Sequence, residues 1–140
     1  MTSSPQPRVG CGAAILRDGR LLLVRRRREP EAGHWGLPGG KVDFGETVPA
    51  AIMREIAEEL GIAIRLIRLL HVVDQIDDAA GQHWVSPTWL AEIAAGEPAI
   101  REPDALADWG WFALDALPAP LTEATRQTLP ALRHALSSAG

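Results

Sequence analysis

The stretch that decides the fold reads GGKVDFGETVPAAIMREIAEELGI and covers residues 39–62. Thr47 is a favourable helix N-cap, and Pro49 is tolerated in the first turn that would follow it. Gly61 is typical of the residue that ends a helix in the left-handed conformation. The pattern therefore predicts a helix that starts after Thr47 and runs to Leu60.

Three carboxylates crowd the second half of this helix. Glu55, Glu58 and Glu59 are spaced i, i+3 and i+4, so they project from one face. Like charges at this spacing cost about 0.2–0.5 kcal/mol per pair, and the helix dipole disfavours anions near the C-terminus. A divalent cation would remove both penalties, and Mg²⁺ and Mn²⁺ prefer oxygen ligands. The spacing therefore predicts a Mg²⁺ site, with Mn²⁺ as the alternative ion.

Apolar residues of the same helix indicate which side is buried. Met53, Ala57 and Leu60 gather roughly opposite the carboxylates, with Ile56 on the flank. We expect these residues to face the core.

The residues around the helix add to the same chemistry. The nearby glycines (Gly36, Gly39, Gly40 and Gly45) allow the backbone to approach a ligand closely. Arg54 can fork onto a neighbouring carboxylate and fix its orientation. Together these features predict metal-assisted attack of water on phosphorus.

Composition limits the class of protein. The chain has 140 residues, 46% of them hydrophobic, and a net charge of −4, which favours one folded domain and disfavours a nucleic-acid-binding protein. Residues 1–7 are predicted to be a loose arm and residues 8–140 a single domain. The single cysteine and the absence of a signal-peptide or membrane-spanning pattern predict a cytoplasmic protein without a membrane partner.

The rest of the chain mixes strands and helices without strict alternation, which predicts an α+β fold with a mixed sheet. Asp18-Gly19 indicates a hairpin turn, and Pro38-Gly39-Gly40 is expected to stop a short extended piece. Pro87 favours an edge strand or a bulge, and Pro130 should kink or restart the last helix. The predicted strands are 9–17, 21–27, 35–37, 64–75, 83–92 and 109–112, and the last helix follows Thr122 to about Leu136.

A family resemblance rests on the fixed spacing from Gly40. The chain reads Gly40, five residues, Glu46, seven residues, and then REIAEELGI from Arg54 to Ile62. This pattern resembles the Nudix box of the Nudix hydrolases, which include the MutT-type enzymes, and it covers 23 of the 140 residues. The resemblance implies an α/β/α sandwich around a mixed sheet. It also implies cleavage of nucleoside diphosphates linked to another group.

The resemblance assigns roles to the carboxylates. It implies that Glu58 and Glu59 bind the catalytic cations, and that Glu55 lies in the metal shell or near the attacking water. It leaves the general base open between Glu55 and Glu58. The carbonyl of Gly39 is implied as a further ligand.

The remaining motif positions are implied to support these groups. Arg54 matches the residue that orients a glutamate of the box, and Glu46 matches one that braces the loop and helix. Gly40 and Gly61 are structural positions of the motif.

MutT-type members take one more metal ligand from a later loop. In this chain Glu102 and Glu97 are the two candidates, and we favour Glu102.

Contacts to the substrate are predicted from residue type and position. Arg25 or Arg27, at the basic end of a strand, is a candidate for a phosphate contact, against the alternative of solvated charges. Trp35 and Phe44 flank the box, so one of them is a candidate for contact with a nucleotide base.

The predicted partner is a small nucleotide, most simply a nucleoside triphosphate. ADP-ribose-cleaving members often carry a proline about fifteen residues beyond the box, where this chain has Ile76-Asp77-Asp78, and the chain has no tyrosine of the kind found in some dinucleoside-polyphosphate members. Cleavage of ADP-ribose or nucleotide sugars remains the alternative, followed by hydrolysis at messenger-RNA 5′ ends. A catalytically silent nucleotide-binding module is the alternative from another class. The apolar, Trp-rich strands suggest a possible homodimer.

Overall fold

The computed structural model of the chain describes residues 5–139. The first four residues of the predicted arm lie outside this range, and residues 5–7 are exposed without regular structure. No helix within the described range is long and apolar enough to cross a membrane. The extent of the domain, residues 8–140, stays a prediction.

The described residues form seven strands and two helices in the order β1–β4, α1, β5–β7, α2. The strands are β1 (Arg8–Arg17), β2 (Arg20–Arg26), β3 (Trp35–Gly36), β4 (Gly39–Lys41), β5 (Ala63–Asp77), β6 (Gln82–Ala95) and β7 (Leu106–Ala113). The helices are α1 (Val48–Leu60) and α2 (Glu123–Ala139).

All seven strands belong to one sheet. Its main path runs β3-β2-β1-β6-β5, while β4 pairs with β1 and β7 pairs with β2. The β1–β6 pair is parallel and the other named pairs are antiparallel. The prediction of an α+β fold with a mixed sheet is therefore confirmed.

The two helices cover opposite faces of the sheet. Successive strand residues point to opposite sides, so one strand contributes side chains to both faces. On the α1 side, Ile52, Ile56 and Leu60 join Leu22 and Val24 of β2 in one core. The α2 side has its own core, which contains Ala14, Leu21, Leu23 and Leu132. This arrangement is the α/β/α sandwich implied by the box.

Two predictions about the early strands have different outcomes. The hairpin turn is confirmed, since Asp18 and Gly19 both have positive φ (52° and 76°) and Leu16 pairs with Leu21. The second prediction is confirmed but incomplete: β3 ends at Gly36, before Pro38, and a further strand that was not predicted then begins at Gly39. Residues 39–41 form β4, in which Gly40 pairs with Cys11 of β1.

Each proline prediction gave two alternatives, and the structure excludes one of each. Pro87 lies in β6, which is an interior strand between β1 and β5, so an edge position is wrong. Pro87 pairs with Val72, and the nearby irregularities lie in β5, one of them between Leu69 and His71. Pro130 does not restart the last helix, because α2 continues through it.

Helix α1 has the predicted ends but a different buried face. The hydroxyl of Thr47 accepts a hydrogen bond from the amide of Ala50, and Gly61 ends the helix with φ 70°. Met53 is 43% exposed and Ala57 is also exposed, so their predicted place in the core is wrong. The helix instead buries Ile52 with Ile56 and Leu60, which turns part of the carboxylate face towards the sheet.

The loop after β6 closes the C-terminal end of α1. The amide of Ala99 donates to the carbonyl of Leu60 at 3.1 Å, and the amide of Arg101 donates to that of Glu59 at 2.9 Å. These bonds satisfy carbonyls that a helix end leaves without partners. The guanidinium of Arg101 also lies against Gly61, so a Cβ there would come within 2.5 Å of its Nε.

Gly61→Ala should therefore destabilise the fold more than Gly19→Ala. Gly61 has a φ of 70° and Gly19 a φ of 76°, so both adopt the left-handed conformation. A Cβ at Gly19, however, would meet no atom within 4 Å. We expect about 1–2 kcal/mol from the backbone conformation in each variant, and a further loss at residue 61 from displacement of Arg101. Urea unfolding measures both values. Equal losses would show that the contact with Arg101 contributes nothing.

Candidate active site

The three box glutamates are buried to different depths along one side of α1. Glu59 is 6% exposed and lies closest to the core. The side chain of Glu55 is 16% exposed and that of Glu58 is 49% exposed. The three carboxylates therefore extend from the interior to solvent. This is expected of a site that a ligand enters from solvent and that partly encloses the ligand.

Glu59 holds the β4 strand to the helix. Its Oε1 accepts a hydrogen bond from the amide of Gly39 at 3.1 Å. Burial, together with the neighbouring charge of Glu55, raises the pKa of Glu59 from 4.5 to about 8. A carboxylate in this position is costly as an anion unless a cation lies nearby.

The glycines of β4 permit close approach on both sides. A Cβ at Gly39 would fall on the carbonyl oxygen of Cys11, and one at Gly40 would fall on the carboxylate of Glu55. Larger residues would push β4 away from β1 and from α1. The two glycines therefore let the β4 backbone lie beside Glu55 and Glu59.

Arg54 connects the loop to the carboxylates. Its Nε and Nη2 donate to the two oxygens of Glu46 at 2.7 and 2.9 Å. Its Nη1 lies 3.0 Å from Glu55 and 3.3 Å from Glu58, and Nη2 lies 3.4 Å from Asp43. The hydrogen bonds from Arg54 lower the pKa of Glu46 to about 2. Arg54 is thus in contact with both Glu46 and Glu55, while the orienting and bracing roles that the box implies stay predictions.

The two candidates for the later ligand lie in different surroundings. Glu97 accepts hydrogen bonds from Arg17 at 3.3–3.4 Å on the surface. Glu102 is close enough to Glu55 and Glu59 to raise the pKa of each. It follows the loop that is bonded to the end of α1. The geometry therefore favours Glu102.

The donor set fits a divalent cation chemically. No group of three or more His, Cys, Asp or Glu side chains in residues 5–139 is already gathered around a metal position. Arg54 offsets Glu55 and Glu58, while no cation of the described chain forms an ion pair with Glu59 or Glu102. Carboxylate and backbone oxygens with this excess negative charge suit Mg²⁺ or Mn²⁺.

An inner cavity of about 180 Å³ opens beside these groups. Gly39, Gly40 and Glu59 line it from the box, and Arg26 and Glu31 line it from the segment around β2. The cavity is large enough for phosphate groups but too small for a whole nucleotide.

A larger outer cavity of about 790 Å³ shares Glu31 and Gln75 with the inner one. Its aromatic surface is Trp84, whose ring lies 5.7 Å from the guanidinium of Arg8. Its charged residues are all carboxylates, namely Glu29, Glu31, Asp74, Asp77 and Glu123. This lining suits a group that donates hydrogen bonds and carries no negative charge.

The residues predicted to contact substrate do not line either cavity. The Nε of Arg25 donates to the carbonyl of Gly33 at 3.3 Å, and that of Arg27 donates to Pro103 at 2.9 Å. The ring of Trp35 packs edge-on against Phe112 in the α2-side core, with centroids 5.2 Å apart. Phe44 is fully exposed on the loop before α1.

Two lining residues were missed. Arg26 lies two positions after Val24, so strand alternation places it on the face of β2 that α1 covers. That signal was available once the side of α1 was known. Trp84 gave no such signal, because only the tertiary fold brings β6 to the outer cavity.

Comparisons with known proteins agree with this arrangement. A family model of the NUDIX domain matches residues 6–132. The chain is 37% identical over 118 residues to a putative 8-oxo-dGTP diphosphatase 2 of Mycobacterium tuberculosis, covering 71% of this chain and 82% of the relative. It is 34% identical over 112 residues to an ADP-ribose pyrophosphatase of Methanocaldococcus jannaschii, covering 80% of this chain but only 65% of that relative.

A solved structure is closer still. The crystal structure of a MutT NUDIX hydrolase from Burkholderia pseudomallei is 62% identical and superposes with a TM-score of 0.88, over 91% of this chain and 98% of that one. Sheet, helices and glutamate face thus define a Nudix-type hydrolase fold. The chain belongs to the Nudix hydrolase family.

The buried charge of Glu59 predicts how stability depends on pH without metal. The pKa is raised, so the folded protein keeps a proton that the unfolded chain releases between pH 4.5 and about 8. Stability should fall as pH rises through this window. Glu59→Gln removes the charge. At pH 8 we expect the free energy of unfolding of this variant to exceed that of the wild type by about 1 kcal/mol or more, which corresponds to about 4 °C in Tm.

Thermal unfolding in EDTA from pH 4 to 8 measures this difference. The control is Glu97→Gln, which changes a surface carboxylate paired with Arg17. A wild type as stable at pH 8 as Glu59→Gln would contradict the charged, buried state of Glu59.

Proposed function

We propose that this protein is a Mg²⁺-dependent hydrolase, also active with Mn²⁺, that cleaves a nucleoside triphosphate to a monophosphate and pyrophosphate. The observation that carries the proposal is the glutamate face of α1 beside the glycines of β4, open to an inner cavity that continues into a larger one. The site keeps every specified position of the box. That completeness weighs against a catalytically silent module.

The proposed ligands of the cation are the carbonyl of Gly39 and the carboxylates of Glu55, Glu58, Glu59 and Glu102. A bound divalent cation would neutralise phosphoryl oxygens and make a water molecule more acidic. The chain's own residues supply the rest of the site. The Gly39 amide fixes Glu59, and the Arg54 guanidinium fixes Glu55.

In the proposed reaction a water molecule attacks one phosphorus of the anhydride. A new bond forms between the water oxygen and that phosphorus. The bond between the phosphorus and the bridging oxygen breaks, and the bridging oxygen leaves with the other product. The proton of the water passes to Glu55 or Glu58, which share the Nη1 of Arg54. We favour Glu55, because its carboxylate lies against Gly40 and burial raises its pKa, which makes it a stronger base than an exposed carboxylate.

The outer cavity supports a nucleoside as the other part of the substrate. Its volume of about 790 Å³ accommodates a nucleoside, and Trp84 offers a surface for a base. The name of the Mycobacterium tuberculosis relative, a putative 8-oxo-dGTP diphosphatase, supports a triphosphate substrate. The name of the Methanocaldococcus jannaschii relative supports the alternative, an ADP-ribose or nucleotide-sugar pyrophosphatase.

Location and assembly remain proposals. We propose a cytoplasmic enzyme, as the cysteine content favours. A homodimer is supported by β5, an outer strand of the sheet whose large apolar side chains are 41–62% exposed at Ile67, Leu69, Val72 and Ile76.

The test of the proposed function is a panel of substrates with identification of the products. Nucleoside triphosphates, ADP-ribose, nucleotide sugars and capped RNA are each incubated with the protein and Mg²⁺. We expect the highest kcat/KM with a triphosphate, the products to be monophosphate and pyrophosphate, and no turnover in EDTA. Release of inorganic phosphate alone, or turnover that persists in EDTA, would contradict the proposal.

Glu102 and Glu97 form a matched pair for the later ligand. Glu102→Gln should lower kcat/KM by about 10- to 100-fold, as expected for removal of one oxygen ligand or a group that supports one. Glu97→Gln, in the same loop but paired with Arg17, should change it by less than about 2-fold, within the range of surface substitutions. Steady-state kinetics at several Mg²⁺ concentrations measure both. The reverse order would move the ligand to Glu97.

A further inference from the structure

Only one of the described residues that line the two cavities carries a positive charge, and it lies on the wall of the inner cavity. Among the described residues that line them, Arg26 is the only lysine or arginine. The other charged lining residues are carboxylates, namely Glu29, Glu31, Glu59, Asp74, Asp77 and Glu123. A polyphosphate that enters this space meets repulsion unless cations oppose it. The glutamate face provides for a metal ion, and Arg26 is the cation that the chain itself supplies.

The stem of Arg26 is held firmly in place. Its backbone amide donates to the carbonyl of His34 at 2.9 Å, and its carbonyl accepts from the amide of Gly33 at 2.7 Å. Its Nε donates to the carbonyl of Pro30 at 2.9 Å. The segment from Pro30 to His34 therefore holds the Arg26 backbone and, through Nε, its guanidinium in place.

The outer nitrogens of Arg26 remain available. No hydrogen bond or ion pair joins Nη1 or Nη2 of the half-buried Arg26 to an acceptor within residues 5–139. The charge lies near enough to Glu59 to lower the pKa of that carboxyl, which places it beside the box. Two free donors in a planar fork match a phosphate group.

We propose that Arg26 binds phosphate oxygens of the substrate through Nη1 and Nη2, at the cavity wall formed by β2. This inference rests on the proposed function, since it takes the anion in the inner cavity to be the diphosphate of the substrate. It replaces the expectation that Arg25 or Arg27 makes this contact.

The neighbouring arginine provides a close control. Arg25 also donates from Nε to a loop carbonyl, that of Gly33, but it lies outside both cavities. Arg25→Gln therefore removes the same charge and the same kind of loop contact as Arg26→Gln. Only a group on the cavity wall should affect the binding of phosphate.

The experiment compares Arg26→Gln, Arg26→Lys and Arg25→Gln with the wild type in kinetics and in inhibition by inorganic pyrophosphate. Arg26→Gln should raise KM and the inhibition constant of pyrophosphate together by about 10- to 100-fold, with kcat changed by less than about 3-fold. Arg26→Lys should recover part of the loss, because it keeps the charge without the fork. Arg25→Gln should change each value by less than about 2-fold.

Thermal unfolding separates binding from support of the loop. If Arg26 only anchors Pro30, Arg26→Gln will lower Tm while KM and inhibition by pyrophosphate stay at wild-type values, and this would overturn the proposal. An equal effect of Arg25→Gln would also overturn it, because the effect would then reflect general charge.

Calorimetric binding of pyrophosphate in Mg²⁺ distinguishes this inference from the proposed function. If the wild type turns over none of the panel but binds pyrophosphate in a manner that requires Arg26, the role of Arg26 stands and the proposed hydrolysis fails. If the wild type hydrolyses a triphosphate and Arg26→Gln is unchanged, the hydrolysis stands and Arg26 fails. If neither the wild type nor Arg26→Gln binds pyrophosphate, Arg26 is rejected as a phosphate contact.

Discussion

The burial of Glu59 beneath the β4 backbone is the constraint on which the site depends. A carboxylate that is 6% exposed must be compensated by hydrogen bonds and opposite charge. The amide of Gly39 supplies one hydrogen bond, but the nearby charges of Glu55 and Glu102 act against it. The position makes physical sense as one side of a cation site, where the same three negative charges become an advantage.

The surrounding structure follows from holding that carboxylate in place. β4 can lie between β1 and α1 only because Gly39 and Gly40 lack side chains. At the other end of the helix, the loop from Gly96 is bonded to the carbonyls of Glu59 and Leu60, which brings Glu102 towards the site. One helix end therefore brings together proposed ligands from two distant parts of the chain.

The sequence predicted the elements whose signals are local. Thr47 and Gly61 mark the ends of α1, and Asp18-Gly19 marks the hairpin, because caps and turns are determined by a few adjacent residues. The spacing of the box glutamates predicted a cation site for the same reason, and that site stays a prediction. The resemblance to the Nudix box then supplied the sandwich fold, which local patterns alone left as a general α+β arrangement.

What the sequence did not predict depends on tertiary contacts. Apolar character alone assigned Met53 to the core, whereas packing on the sheet selected Ile52 and admitted Glu59 to the buried side. Arg26 and Trp84 acquire their positions from cavities that form only when distant strands meet. Aromatic type and nearness to the box were therefore poor guides to the residues that line the cavities.

The most direct test of the account is a measurement of Mn²⁺ binding. Titration with protein should reduce the electron paramagnetic resonance signal of free Mn²⁺ as the ion binds. The wild type should bind Mn²⁺, and Mg²⁺ should displace it. The double variant Glu55→Gln, Glu59→Gln should leave the free-ion signal intact while circular dichroism shows a retained fold. Equal Mn²⁺ binding by a folded double variant would show that the buried carboxylate face of α1 is not a cation site.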